Sequence, residues 1–346
     1  MSIYKNMNKI IAVFILLLSL VIGCKNDKST LYLYNWTDYI DPSIIQQFEK
    51  DNNCIVKVDS YDSNEEMYAK LLNSNNNAGY DIIFPSSYQI PLLVEKGYLE
   101  KLNKDKLKNF FDNYDKTYNC IVLDTNMTYS VSYSLSFIGL AYNTNKVKKV
   151  EKYADLTNGV ARVCLLRDMR QILGAALKSI GFSANSTNNN EIEQATQIVC
   201  QWKKHVVNFN DDDYKRGIAD ETYYVVQGYN NDIAMAINGL DHIKFILPKD
   251  GYTASSDEIA ILSNSRNKDL AYKFINFLYD PIISARNIEY ILGSMPNKNA
   301  KKYVKEELKN DKFIFPSQEM CKKSEVIKDL GQYNILYYKA WDKIIK

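Results

Sequence analysis

Few side chains in this sequence are equipped for covalent chemistry. Its two histidines, His205 and His242, lie far apart along the chain. That argues against most zinc enzymes and against His-based acid–base catalysis. No Gly-x-Ser-x-Gly, His-Glu-x-x-His or Walker-type loop occurs. A nucleophile–base pair, a metalloprotease helix and a phosphate cradle are therefore not indicated, and no catalytic residue, metal or cofactor is expected. Beyond Cys24, five cysteines remain: Cys54, Cys120, Cys164, Cys200 and Cys321. Their wide spacing contains no Cys-x-x-Cys, so neither a zinc knuckle nor a dithiol redox motif is indicated. Cys54, Cys164 and Cys200 sit among apolar residues and read as small core fillers. A disulfide framework is not expected at this size. Two clusters stand out instead, Asn35-Trp36-Thr37-Asp38-Tyr39 and Pro85-Ser86-Ser87-Tyr88.

The elements that must position these clusters alternate between strand and helix. Leu31–Tyr34 is β-prone and runs into the first cluster. Asp41-Pro42 then opens a helix, with Asp as cap and Pro in the first turn. Ile44, Ile45 and Phe48 form its apolar stripe. Cys54–Val58 is a second strand. Ser63-Asn64-Glu65-Glu66 caps a second helix, with Met67, Leu71 and Leu72 on one face. Tyr80–Phe84 reads as a third, buried strand, and the second cluster follows its C-terminal end. A β-α-β-α-β order predicts a parallel sheet with right-handed crossovers. Ligands of such sheets sit beyond the C-terminal strand ends, where both clusters fall.

A second α/β region begins near Phe137. Ile138–Asn143, Val160–Leu166, Ile233–Ile237, Ile243–Leu247 and Ile259–Leu262 read as strands. Helices are expected from Asp168 through Leu177, over Glu191–Lys204 and Asp269–Leu278, and at the C-terminus over Tyr333–Ile345. The length of 346 residues suits two domains, and 46% hydrophobic with 24% charged residues suits a globular chain with a real core. The formal charge of +2 falls to zero without Lys5 and Lys9, which makes a nucleic-acid partner unexpected.

The N-terminus reads as a targeting signal. Lys5 and Lys9 precede the apolar run Ile10–Ile22, too short for a comfortable membrane span. Leu20-Val21-Ile22-Gly23-Cys24 resembles a bacterial lipoprotein box. The resemblance implies a signal peptide over 1–23, lipid attachment at Cys24 and a polar tether over 24–29. The chain would then be periplasmic and held to a bacterial membrane by its lipid alone.

From Thr30 onward the chain resembles the periplasmic spermidine/putrescine-binding proteins of ABC transporters. The matching segments are LYLYNWTDY (Leu31–Tyr39), YDSNEEMYAKL (Tyr61–Leu71), YDIIFPSSY (Tyr80–Tyr88), PKDG (Pro248–Gly251) and KFINFL (Lys273–Leu278). The resemblance implies a type II periplasmic-binding-protein clamshell, each α/β lobe a parallel-rich sheet flanked by helices. One lobe would hold 30–136 with 259–300, the other 137–258 with 301–346. It also implies a monomer that closes on a solute and docks on an ABC permease.

A polyamine site needs carboxylates spaced along a flexible chain of ammonium groups, and aromatic faces over its methylenes. By resemblance, Trp36, Asp38, Tyr39, Ser86 and Tyr88 serve from the first lobe, Asp168 from the second, and Asp257 from just before the return strand. Thr37 and Ser87 flank them. The family's pattern is broken at four places. Gln171 stands where a Glu is common, and Ile237 heads an Ile-Asn-Gly in place of Trp-Asn-Gly. Ser255 replaces a Trp two residues before Asp257, and Ser294 replaces a Tyr. Asp211 or Asp241 could supply the missing charge. These departures leave a second reading open, the same fold and transport role with a different small cationic or amino solute. A non-transport surface lipoprotein is the third.

Overall fold

The computed structural model describes residues 28–75, 78–157 and 160–346; the signal segment 1–23 and Cys24 lie outside them. Strand β1 (Thr30–Trp36) is the hub of the first sheet, with Leu31 and Leu33 fully buried. It pairs in parallel with β2 (Ile55–Tyr61) on one side and β3 (Ile82–Ile83) on the other. The crossovers are the helices Pro42–Asn52 and Asn64–Asn73. Their caps form as the sequence predicts: Asp41 accepts from the Ser43 N–H at 2.8 Å and Ser63 from the Glu66 N–H at 3.1 Å. Ile44, Phe48, Met67 and Leu71 are buried, but Leu72 is 49% exposed, because one more residue turns the side chain about 100° off the apolar stripe. Strand β3 is shorter than Tyr80–Phe84. The Asp81 carboxylate instead takes the Tyr32 N–H at 2.9 Å and the Ser265 hydroxyl at 2.6 Å.

Strand β4 (Ser130–Asn143) is much longer than the sequence suggests and belongs to two sheets. Ser130–Phe137 pairs antiparallel with β9 (Tyr252–Ile261), which in turn pairs with β3. Ile138–Asn143 pairs antiparallel with β7 (Val225–Tyr229) and β8 (Ile243–Ile246). Strand β5 (Val163–Leu165) lies parallel to both β7 and β6 (Val206–Phe209). Finally, β10 (Ser324–Val326) adds in parallel to the start of β9.

Each sheet has its own core. Phe48, Phe84, Tyr133, Ile261 and Phe274 pack in the first; Leu140, Val163, Leu173, Trp202 and Val225 pack in the second. The C-terminal stretch is divided between them: Val304 and Ile314 join the first core, Tyr337 and Ile344 the second. Thus 301–346 does not sit wholly with the second sheet.

Two further expectations are corrected and one element is added. Ile233–Ile237 is not a strand but falls in and just after the helix Asn230–Ala236, and the strand is the preceding Val225–Tyr229. Cys200 is exposed on the helix Asn189–Trp202, while Cys54 and Cys164 are buried. Residues 281–291, unassigned from sequence, form a helix capped by Asp280 and opened by Pro281.

Candidate functional site

The site is built outward from Asp257, a half-buried carboxylate on β9. The Tyr39 hydroxyl donates to its Oδ2 at 2.7 Å and the Ser86 hydroxyl to its Oδ1 at 2.8 Å. Tyr39 follows the end of β1, and Ser86 follows β3 and bridges to Asp257 through its backbone. Both sequence clusters thus meet one acid. Burial pushes the Asp257 carboxyl up to about 6, against the lowering effect of these two hydroxyls.

Asn64, the first residue of its helix, ties the second cluster together. Its Nδ2 donates to Ser86 Oγ at 3.1 Å and to the Tyr88 hydroxyl at 3.0 Å, and its Oδ1 accepts from the Ser86 N–H. The sequence shows Asn64 only as part of a helix cap. Ser87 is buried at the start of the short turn Ser87–Gln89. Trp36 is half-buried, with its Nε1 donating to the Phe84 carbonyl at 2.8 Å and its ring against Tyr61 at 4.5 Å.

Asp168 comes from the other sheet, just beyond β5. It caps the helix Met169–Ser179, and Oδ1 takes both bonds, from Arg170 N–H at 2.8 Å and Gln171 N–H at 3.2 Å. Its carboxyl is held above the ordinary range, first by burial and, among charges, by Glu65, against the lowering pull of the two helix N–H groups and Arg170. Asp211 stands beside it, accepting from Arg167 N–H at 2.8 Å and Asp168 N–H at 3.3 Å. The Tyr88 phenol is raised by burial and then by the charges of Asp168, from the other sheet, and Glu65.

Tyr229 is an aromatic side chain of this group that the sequence reading did not single out. It ends β7, half-buried, and its phenol is raised by burial and then by Asp168, Asp211, Tyr88 and Asp257 together. Ile237, eight residues on, instead packs at the edge of a cluster with Tyr214 and Ile233. The available signal was Tyr229-Asn230 itself, an aromatic–Asn pair directly after a β-prone run. Asn230 accepts from the Phe137 N–H at 2.6 Å and Asn231 from Ser136 Oγ at 3.3 Å, which fixes this segment to β4 where it changes sheets.

Other residues are placed differently. Gln171 is buried, with Oε1 taken by the Thr253 hydroxyl at 2.6 Å. Ser255 is half-buried on the same face of β9 as Asp257. Ser294 is buried, and among the described residues its Oγ has no protein hydrogen-bond partner; Ser134 lies opposite Asp257 on β4. Thr37 and Asp38 are exposed, and the Asp38 charge acts on Tyr290 rather than on the cleft tyrosines. Asp241 is exposed beyond the helix Asn230–Ala236 and is not brought to the group. A surface hollow lined by Gln47, Asn109, Lys273, Asp280 and Arg286 shares no residue with it and carries basic side chains. No group of three or more His, Cys, Asp or Glu among the described residues is placed to hold a metal.

Residues 43–315 match the family of bacterial extracellular solute-binding proteins. The chain belongs to that family. It is 32% identical over 323 residues to the spermidine/putrescine-binding periplasmic protein of Escherichia coli K12, with 92% of each chain covered. It is 30% identical to the putrescine-binding periplasmic protein SpuD of Pseudomonas aeruginosa, again with 92% of each covered. The crystal structure of the TpPotD lipoprotein of Treponema pallidum superposes with a TM-score of 0.84 at 30% identity, over 91% of this chain and 99% of that one. The fold is the two-lobed type II periplasmic-binding-protein fold, and the chain is an extracytoplasmic solute-binding protein.

Proposed function

We propose that this protein captures a polyamine between its two lobes and delivers it to the permease of an ABC importer. The carrying observation is the arrangement around Asp257: a half-buried acid whose two oxygens are already oriented by Tyr39 and Ser86, with Tyr88 and Tyr229 beside it and Asp168 opposite. Acids from both halves of the chain suit a ligand with ammonium groups at separated points, and the tyrosines suit its methylenes. The printed names of the relatives support the same ligand class.

The lobes divide near Phe137, where β4 passes from one sheet to the other, and near Ser255 on β9, with 137–251 as most of the second lobe. Ligand contacts to both lobes favour the closed form, which the permease recognises. No catalytic step, cofactor or metal is part of this reading. The chain acts as a monomer tethered through a lipid on Cys24. Gln171, whose carbonyl oxygen is committed to Thr253, favours one competing reading, a smaller amino solute with a single charged end.

Calorimetry with putrescine, spermidine and spermine decides. Binding of at least one, abolished or strongly weakened in Asp257→Asn, supports the proposal. Binding of none discards the polyamine while leaving the transport fold. Scattering at saturating ligand should show a smaller radius, and an unchanged radius would remove the hinge.

A further inference from the structure

Cys120 and Cys321 are far apart in sequence and adjacent in the fold. Cys120 ends the short turn Lys116–Cys120 and is exposed. Cys321 lies in the helix Gln318–Lys323 and is buried. The helix packs on the turn. Cys321 shares an apolar cluster with Tyr118 and Ile121, which bracket Cys120. The Tyr118 hydroxyl donates to the Pro316 carbonyl at 3.3 Å, holding the turn against the approach to the helix. Inside this contact Cys120 is among the groups that act on the Cys321 thiol. Burial pushes the Cys321 thiol up to about 12, so the accessible Cys120 is the sulfur that reacts first.

We propose that Cys120 and Cys321 form a disulfide when the protein reaches its extracytoplasmic compartment, stapling the turn Lys116–Cys120 to the segment that leads into β10. Compartments outside the cytoplasm keep such bonds. The oxidant is an external disulfide, carried by a small thiol or a dithiol oxidase. The Cys120 thiolate attacks one of its sulfurs, breaking that S–S bond and releasing a thiol. The Cys321 sulfur then attacks Cys120 Sγ, gives its proton to the departing group and expels the second thiol. Two protein thiols are oxidised and one external disulfide is reduced to two thiols. The staple sits where the chain leaves the first core, pairs β10 with β9 and continues to the helix Asn334–Ile345 on the second core. It therefore braces one of the connections between the lobes.

The test uses the full chain, first reduced, then exposed to oxidised glutathione at mildly alkaline pH, unfolded and alkylated. After alkylation the oxidised protein should carry two fewer alkyl groups than the reduced form treated alike, and should yield one cross-linked pair of peptides carrying Cys120 and Cys321. Its thermal midpoint should rise by roughly 5 °C over the reduced form. Cys120→Ser, at an exposed position, should abolish both the cross-link and the rise; Cys321→Ala should do the same if it folds. A persistent glutathione adduct on Cys120 with Cys321 still open to alkylation overturns the proposal, as does recovery of both as free thiols.

Discussion

The two walls of the cleft are built differently. On the first, Tyr39, Asn64, Ser86 and Tyr88 are joined to one another or to Asp257 by direct hydrogen bonds. On the second, Asp168 and Asp211 are anchored to backbone N–H groups and meet Tyr88 and Tyr229 chiefly through their charge. The first wall is pre-organised before any ligand arrives. The second gathers like charges that a cation would relieve. On the proposed function, the difference assigns separate work to them: the oriented acid would fix where an ammonium sits, and the acids of the second wall would supply the drive to close.

Several substitutions can break or sharpen that contrast. Asp257→Asn should have the largest effect, weakening polyamine binding by about 2–5 kcal/mol in calorimetry, since an ammonium would face oriented hydroxyls without their acid. Asp168→Asn retains a helix-capping side chain, so folding should survive. Its loss of affinity should be about 1.5–3 kcal/mol, and equal losses at the two positions would contradict the division of labour. Tyr229→Leu should cost about 1–2 kcal/mol through lost cation–π attraction, while Ile237→Ala leaves affinity unchanged. An effect at Ile237 and none at Tyr229 would restore the alignment read from sequence.

The pH dependence separates two neighbouring acids. Asp257, pushed up to about 6 by burial, must be ionised to bind a cation. Affinity should hold above pH 6 and fall by about tenfold per unit below it, a profile absent from Asp257→Asn. Glu258 faces the opposite side of β9, is fully buried among Ser130 and Ser256, and is pushed up to about 8 by burial. The folded protein therefore holds a proton there that the unfolded chain releases above its ordinary carboxylate pKa. Stability should fall as pH rises towards 8, by about 1.4 kcal/mol per unit. Glu258→Gln should flatten that slope in denaturant titrations without altering affinity. A slope that survives the substitution would assign it to another group.

Much of the first sheet was legible because its signals are local. Asp41-Pro42 and Ser63 with Glu66 mark helix starts through contacts a few residues long, and both caps form. The strand ends at Trp36 and ahead of Ser86 fall beside these boundaries. The second sheet was harder. Ile233–Ile237 has a β-like composition, yet Asn230, Asn231 and Asp232 open a helix there, and Gly228 marks the true strand. A Cβ at Gly228 would come within 2.3 Å of the Tyr214 ring, a contact no local rule reveals.

The sequence by itself determined the α/β class, the helix caps, the two clusters at strand ends and the set of acids available to them. Their chemistry is carried by residue type and by neighbours in the chain. Only the tertiary structure decided that Asp257, Tyr39 and Ser86 form one unit, that Tyr229 and not Ile237 is grouped with the acids, and that Asp38 and Asp241 are exposed. Those outcomes depend on which strands pair and in what register. On β9, where side chains alternate between faces, register alone places Asp257 towards the cleft and Glu258 in the core.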